Sequence, residues 1–492
     1  MNLIFNGHSF KYEMENLCRM FYPGEKFNIV YDCEPGQLSG DIIAAERIKQ
    51  SGNTLLSVRI MINRQLSALN DSLDNTSPDY EKECERILAV LLYRLLSKET
   101  GITPKWGILT GIRPVKLVHE LREKGLSDSE IEEFLQTRYL ATKEKIDLCI
   151  KTADAQKNLL QKGDLRDFSL YVSIPFCPSR CIYCSFVSHS IEKTRKLVPE
   201  YVEKLIEEIT ETGRLAKEQG LNLKTVYFGG GTPTALDAED IKRLTGAVRE
   251  SFDLSGILEY TYESGRPDTI TGEKLQVIKE AGVTRISINP QTLNDDVLRE
   301  IGRQHTTQQT IDSFHLARDL GFDDINMDVI AGLPSESPES FYRTIDGILD
   351  LNPENITVHT LSVKRSSNLL EQAKARYDAK GYEIEDMLDY ARTHLYEKSY
   401  RPYYLYRQKN TLGNFENVGY AHPGFEGVYN VEIMEEIRTI LAVGAGAVTK
   451  LYNCGTGQIS RVFNYKYPYE YIDRFDDILK RKRQVSEFYE HL

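Results

Sequence analysis

No run of apolar residues in the 492-residue chain reaches the length of a membrane span, because charged side chains interrupt each one first. The opening residues, Met1-Asn2-Leu3-Ile4-Phe5-Asn6, lack the basic stretch and apolar core of a secretory signal, so a cytoplasmic protein is expected. Excess positive charge is missing as well. The formal net charge is −12, which argues against a broad nucleic-acid or anionic-membrane surface but leaves room for a small basic pocket. Solenoid repeats and low-complexity tracts are absent. A chain this long buries a large core and does not need disulfides to fold. The eight cysteines are placed unevenly: Cys18, Cys33, Cys84, Cys149 and Cys454 are scattered, while Cys177, Cys181 and Cys184 crowd together. In a reducing compartment such a cluster reads as a metal site.

The composition, 41% hydrophobic and 27% charged, is that of a globular protein, and the length suggests roughly two to four domains. Residues 1–165 form an N-terminal α/β unit of unassigned role. It has strand-like runs at 27–31 and 57–61, a polar loop from Asn70 to Asp79, and a helix from about Asp79 to Lys98 with Ile87, Val90, Leu91 and Leu95 on one face. Residues 166–380 alternate short β-rich runs with amphipathic helices. The strands expected are 170–174, 225–228, 259–263, 285–288, 325–330 and 356–361, and a long helix carries Val198, Val202, Leu205, Ile206 and Ile209 on one face. Such alternation predicts a parallel sheet, a partial barrel of about six βα units. Residues 381–492 begin with a helix bearing Ile384, Met387, Leu388, Ala391 and Leu395, followed by an aromatic, glycine-rich stretch and an α/β tail.

In parallel barrels the chemistry gathers at the C-terminal ends of the strands, and the unusual residues fall there. The three cysteines follow the first strand and Gly229-Gly230-Gly231-Thr232-Pro233 the second. Glu263 ends the third, Asn289-Pro290-Gln291 the fourth, and Ser362 follows the sixth. Asp328 lies on the fifth, before Gly332-Leu333-Pro334. A 4Fe–4S cubane normally takes four thiolates, so the C-x3-C-x2-C spacing leaves one iron open to a small molecule. That spacing resembles the radical-SAM pattern, in which the open iron takes S-adenosylmethionine (SAM). Zinc closed by His189 is the blander alternative. The glycine run reads as a turn or as a close approach to a ligand. Glu263 reads as a solvated charge or a SAM ligand. By strand alternation Tyr171 lies opposite Leu170, Val172 and Ile174, either packed in the sheet or laid over SAM. Asp328 faces away from Met327 and Val329 and needs a partner.

Three segments, 171–177, 228–234 and 330–334, resemble the oxygen-independent coproporphyrinogen III dehydrogenase (HemN-like) family of radical-SAM proteins. Segments 106–114, 263–268 and 404–410 look most like its HemZ branch. The resemblance implies a radical-SAM partial barrel flanked by the N-terminal domain and a C-terminal α/β substrate or cap region. It implies that Cys177, Cys181 and Cys184 bind the 4Fe–4S cluster. Two SAM molecules are implied. The first would meet Tyr171, Gly230, Glu263 and, less clearly matched, Val448. The second would meet Tyr183, Gly231, Thr232, Gln291, Arg303, Asp328 and Ser362, although Arg303 alone also reads as a helix-surface residue. Tyr171 and Glu263 are the residues implied in catalysis. The implied reaction is decarboxylation of two coproporphyrinogen III propionates to vinyl groups by a 5′-deoxyadenosyl radical, giving protoporphyrinogen IX in porphyrin and heme biosynthesis. Reduced flavodoxin or ferredoxin would donate the electron, and an unidentified acceptor would take the one released. Lys364, Arg365, Arg407 and Lys409 are candidate partners for the propionates, or solvated surface charges.

The chain departs from the family pattern at Phe186, where well-characterised dehydrogenases carry a fourth cysteine. Related heme chaperones of the HemW type also lack that cysteine, but they carry a His-Asn segment. The corresponding stretch here begins Tyr429-Asn430. Tyrosine can ligate heme iron, so the chaperone stands as an alternative, beside an anaerobic heme-opening radical-SAM methyltransferase.

Overall fold

A computed structural model of the chain describes every residue except 23–24, 112, 161–163, 185–188, 363–380 and 409–414. Two compact units emerge, one built mainly on Met1–Lys151 and the other mainly on the chain from Thr152 to Leu492.

In the first unit the strands Asn2–Asn6 (β1), Asn28–Tyr31 (β2), Ile42–Lys49 (β3), Asn53–Ile62 (β4) and Gln65–Asp74 (β5) form one sheet in the order β2-β1-β3-β4-β5. β4 alternates strictly, burying Thr54, Leu56, Val58, Ile60 and Ile62. The apolar members of this row pack with Leu17 and Cys18 of the helix Lys11–Phe21 (α1) and with Leu88, Leu92 and Leu96 of the helix Tyr80–Thr100 (α2). The expected loop beginning at Asn70 is corrected here. Residues up to Asp74 belong to β5, which pairs antiparallel with β4 from Asn53↔Asp74 to Ile62↔Gln65. Asn63 and Arg64 both take positive φ, the twist that a two-residue hairpin turn requires. Nearly every β5 side chain is exposed, so no apolar alternation marks the strand. Backbone pairing with β4 holds it, and Leu73 alone of its leucines packs against the core.

The second unit holds the sheet that positions the chemistry. Its strands are Asp167–Ile174 (β6), Asn222–Gly230 (β9), Glu259–Glu263 (β10), Arg285–Ser287 (β11), Ile325–Ala331 (β12) and Asn355–Thr360 (β13). A two-stranded ribbon, Phe176–Cys177 (β7) with His189–Ser190 (β8), stands beside it. The C-terminal region adds Arg401–Arg407 (β14), Glu416–Ala421 (β15), Thr439–Val443 (β16), Val448–Asn453 (β17) and Gln458–Phe463 (β18). The order is β14-β15-β13-β12-β11-β10-β9-β6-β16-β17-β18. β16, β6, β9, β10, β11, β12 and β13 run parallel, so the six expected strands gain a seventh from the C-terminal region. Among the described residues the ladder ends on β14 at one edge and β18 at the other, and does not close.

Side chains mark where five of the helices that follow the strands begin. Asp237, Thr271, Asn294, Thr306 and Ser337 each accept a backbone N–H in the first turn of the helix they precede. Thr306 and Gln309 complete a reciprocal capping box. The helix Val198–Glu218 buries Val198, Val202, Leu205 and Ile209 of the expected face, while Ile206 is half-buried. On β6, Leu170, Val172 and Ile174 are fully buried while Tyr171 is half-buried on the opposite face. Aliphatic side chains thus pack under the helices and polar ones gather on the other face.

Because the Thr306 cap satisfies an otherwise orphaned N–H, Thr306→Ala should lower unfolding stability by about 1 kcal/mol. In denaturant titrations this appears as a lower midpoint at constant slope; an unchanged midpoint would show the cap to be idle.

Candidate functional site

Parallel pairing of β6 with β9 and β16 brings three loops to one end of the sheet. The first carries the cysteines. Cys177 ends β7, Cys181 follows a tight loop, and the Cys184 N–H closes a turn onto the Cys181 carbonyl at 3.1 Å. Cys177 and Cys181 are each 9% exposed and Cys184 is half-buried. The Thr232 hydroxyl donates to Cys177 Sγ at 3.4 Å, and Arg266 Nη1 lies 3.9 Å from Cys181 Sγ. Among the described residues no three His, Cys, Asp or Glu side chains converge tightly enough to hold a single metal ion. A cubane differs from a single ion in meeting each thiolate at a different iron. Three sheltered thiols on one loop, two of them facing hydrogen-bond donors, are a donor set that fits such a cluster.

The glycine turn lies against this loop. Gly230 has φ +108°, and a Cβ there would meet Ser173 Oγ at 3.0 Å. At Gly231 a Cβ would strike the Phe176 carbonyl oxygen at 2.6 Å. The Gly231 and Thr232 N–H groups donate to the carbonyls of Ile174 and Phe176, each at 2.7 Å. Glycine is therefore required sterically, and the turn is stitched to the segment that leads into Cys177.

Side chains on the polar face of the sheet meet one another. Tyr171 stacks on Tyr227 with ring centroids 6.1 Å apart and on Tyr429 at 6.3 Å, and Tyr227 and Tyr429 stack at 4.4 Å. The Tyr227 hydroxyl donates to Glu263. Burial raises the Glu263 carboxyl to about 7; Tyr227 and the Gly230 N–H pull it down, and Asp328 pushes it up. Burial also pushes Asp328 up, but His359, Asn326 and Thr357 outweigh it and leave that carboxyl below its ordinary value. Asn326 Nδ2 donates to Asp328 Oδ1 at 2.8 Å, and His359 Nε2 lies 3.8 Å from Oδ2. Two neighbouring carboxyls are thus pushed apart, one raised into the neutral range and one held below its ordinary value.

Gln291 bridges to β12: its N–H donates to the Asp328 carbonyl at 2.9 Å, and its φ of +68° marks a sharp bend. Arg303 is buried rather than a surface arginine. Its Nη1 donates to the Asn289 carbonyl at 2.6 Å, Nε finds no hydrogen-bond partner among the described residues, and Tyr183 lies against it. The Ser362 hydroxyl is buried and has no hydrogen-bond partner among the described residues. Val448 starts β17, just beyond a turn tied to β6 by the Ser173 hydroxyl, which donates to the Ala445 carbonyl at 2.8 Å. Arg407 is buried, 1% exposed, unlike a solvated surface charge. Lys364, Arg365, Lys409 and Phe186 lie outside the described residues.

Reading the sequence missed Tyr227, His359, Arg266 and His305 as neighbours of the site. Strand alternation carried the signal for Tyr227, which occupies the position before Phe228 and so shares a face with Tyr171. The other three reach the site through contacts that no local pattern encodes.

The sequence profile of the Radical SAM superfamily matches residues 171–348. The chain is 42% identical over 426 residues to the oxygen-independent coproporphyrinogen-III oxidase-like protein HemZ of Bacillus subtilis (strain 168), spanning 85% of this chain and 84% of that protein. Similarity extends to the heme chaperone HemW of the same organism, at 35% identity over 44% of this chain and 57% of that protein. With the oxygen-independent coproporphyrinogen III oxidase of Escherichia coli (strain K12), identity is 32% over 39% of this chain and 41% of that protein. The solved structure of coproporphyrinogen III oxidase (HemN) from Escherichia coli, a radical SAM enzyme, has the same fold: TM-score 0.51 at 24% identity, covering 66% of this chain and 72% of that one. A parallel βα sheet with three cysteines after its first strand and a glycine turn after its second defines a radical-SAM protein. Its superfamily implies a 4Fe–4S cluster and SAM. Within that superfamily the chain belongs to the HemN-like family, in its HemZ branch. Among the described residues no helix is long and apolar enough to cross a membrane.

Glu263 keeps its proton in the folded protein up to about pH 7, against 4.5 for an ordinary glutamate. Between those values the folded chain binds more protons than the unfolded one, so this group makes stability fall as pH rises. Glu263→Gln should shallow that fall by up to one proton's slope, measured as denaturant stability against pH. An identical profile for variant and parent would rule out the raised pKa.

Proposed function

We propose that the protein carries out oxygen-independent oxidative decarboxylation of coproporphyrinogen III, converting two propionates to vinyl groups in porphyrin and heme biosynthesis. Cys177, Cys181 and Cys184 hold the 4Fe–4S cluster. Tyr171, Gly230, Glu263 and Val448 contact a first SAM. Tyr183, Gly231, Thr232, Gln291, Arg303, Asp328 and Ser362 contact a second. When bound, cluster and SAM supply a 5′-deoxyadenosyl radical that takes a hydrogen from the substrate's propionate side chain. Reduced flavodoxin or ferredoxin provides the electron, and a separate acceptor takes the one left after carbon dioxide departs. In this reading the N-terminal region serves another purpose than the chemistry, which falls to residues 166–380 with 381–492 as substrate or cap region.

The chain's own residues supply position and charge. Glu263 offers a carboxyl whose proton is easily displaced by a cationic amino group. Asp328, kept ionised by its partners, presents an acceptor. The unpartnered Ser362 hydroxyl and Arg303 Nε are groups that a ligand can satisfy, and leaving them unpaired is costly.

The observation that carries this reading over a heme-binding one is the position of Tyr429. This residue stands where the chaperones' histidine would be, yet it is 3% exposed and its ring stacks on Tyr227 and faces Tyr171. Burial pushes its hydroxyl far above the ordinary tyrosine range. A phenol so placed is a poor ligand for heme iron and a good wall for an adenosyl pocket. That supports an enzyme that uses SAM.

The test is an anaerobic incubation of reconstituted protein with SAM, reductant and coproporphyrinogen III. Protoporphyrinogen IX, or a singly decarboxylated intermediate, should form with 5′-deoxyadenosine. Stable heme binding without SAM cleavage would favour the chaperone instead. SAM cleavage without decarboxylation would point to another tetrapyrrole or to a missing acceptor. Cys181→Ala should abolish 5′-deoxyadenosine formation, and wild-type-like cleavage by it would end the cluster assignment. Tyr171→Ala should weaken SAM binding about tenfold, the loss of one aromatic contact; unchanged affinity would make Tyr171 a packing residue.

A further inference from the structure

Arg266 follows the end of β10 by three residues and is 3% exposed. Its fork is fully committed. Nε and Nη2 donate in parallel to Asp268 Oδ1 and Oδ2 at 3.0 and 2.9 Å. Nη1 and Nη2 also donate to Ser179 Oγ at 3.2 and 3.1 Å, and that hydroxyl passes its own proton toward the Gly302 carbonyl at 2.7 Å. Nη1 reaches the Ser179 carbonyl at 3.4 Å and lies 3.9 Å from Cys181 Sγ. Nη1 has two hydrogens for these three acceptors, so one N–H is shared between Ser179 and the sulfur, and the locked planar guanidinium cannot turn it away.

We propose that Arg266 is a positioning residue for the cluster, raising the potential at which it accepts an electron. This rests on the radical-SAM reading of the three cysteines. Reduction adds one negative charge to the cluster and neither makes nor breaks a bond. A buried N–H donor and positive charge beside a ligand sulfur favour the form with the added electron. Asp268 opposes this from the far side of the fork, so the pair acts as a dipole with its positive end toward Cys181. His305 Nδ1 lies 3.8 Å from Asp268, but burial drives that imidazole down to about 3, and it adds no charge. A residue that merely braced the loop would affect cluster retention without this dependence on the sign of charge.

The experiment compares the full chain with Arg266→Gln and Asp268→Asn, each reconstituted anaerobically and assayed for iron and sulfide. Each is titrated with dithionite and redox mediators in the absence of SAM, and the reduced cluster is followed by electron paramagnetic resonance. Arg266→Gln should lower the reduced-to-oxidised ratio at a fixed potential about tenfold, a downward shift of ~59 mV for one electron. Asp268→Asn should shift the potential upward. A fully loaded Arg266→Gln protein with the parent's potential would overturn the proposal, as would a downward shift in both variants. If Arg266→Gln cannot retain a cluster, Asp268→Asn decides: a potential at or below the parent's refutes the dipole. A parent protein that assembles no reducible cluster would instead refute the radical-SAM reading on which this depends.

Discussion

Backbone pairing of β6 with β9 on one edge and β16 on the other fixes the point at which the chain can leave the sheet. Ile174 pairs with Gly230, so the exit toward Cys177 and the glycine turn necessarily lie side by side. The N–H groups of Gly231 and Thr232 then hold the departing segment by its carbonyls. Side chains at Gly230 or Gly231 would collide with that segment. The cysteine loop is therefore placed by main-chain bonds before any thiol meets iron.

On the polar face of the same sheet, charge is managed by neighbours instead of by solvent. Glu263 is raised and Asp328 lowered although both are sheltered, because only Asp328 faces His359, Asn326 and Thr357 together. The tyrosine stack closes this face from the side of the helix Val428–Glu435, whose Glu432 accepts hydrogen bonds from Ser169 and Thr225 on β6 and β9 and pairs with Arg438. A helix anchored through a buried carboxylate in this manner makes Tyr429 part of the sheet's wall. The contrast between an iron ligand and a wall residue thus comes from anchoring, since tyrosine suits either role.

The strand and helix alternation of the central region was legible because most of its parallel strands bury a short β-rich run and most of its helices start at a capping side chain. The cysteine spacing and the glycine turn were legible for a related reason, since both are local in the chain. β5 was not, because its side chains face water and its pairing is a property of β4. β16 was hidden too: Thr439–Val443 reads as any buried strand, and nothing in its own residues says that it joins β6 rather than its neighbours in sequence. Arg266, His305 and His359 escaped notice because the groups through which they reach the site, Cys181 for Arg266, Asp268 for His305 and Asp328 for His359, are remote from them in the chain. Tyr429 was seen as a possible ligand, and only the stack on Tyr171 and Tyr227 revealed what surrounds it.

The tie between Ser173 and Ala445 spans 272 residues of chain. While the protein is being made, β6 and β9 can pair early, yet the second edge of β6 stays open until β16 emerges. At roughly 5–20 residues per second that interval is on the order of tens of seconds. Throughout it, an apolar strand with unpaired N–H and C=O groups is available to any other extended segment. The cysteine loop beside it then lacks the neighbours that the C-terminal strands bring to that edge. Cluster loading after the C-terminal strands have docked would find a finished cradle; loading before would meet a half-built one.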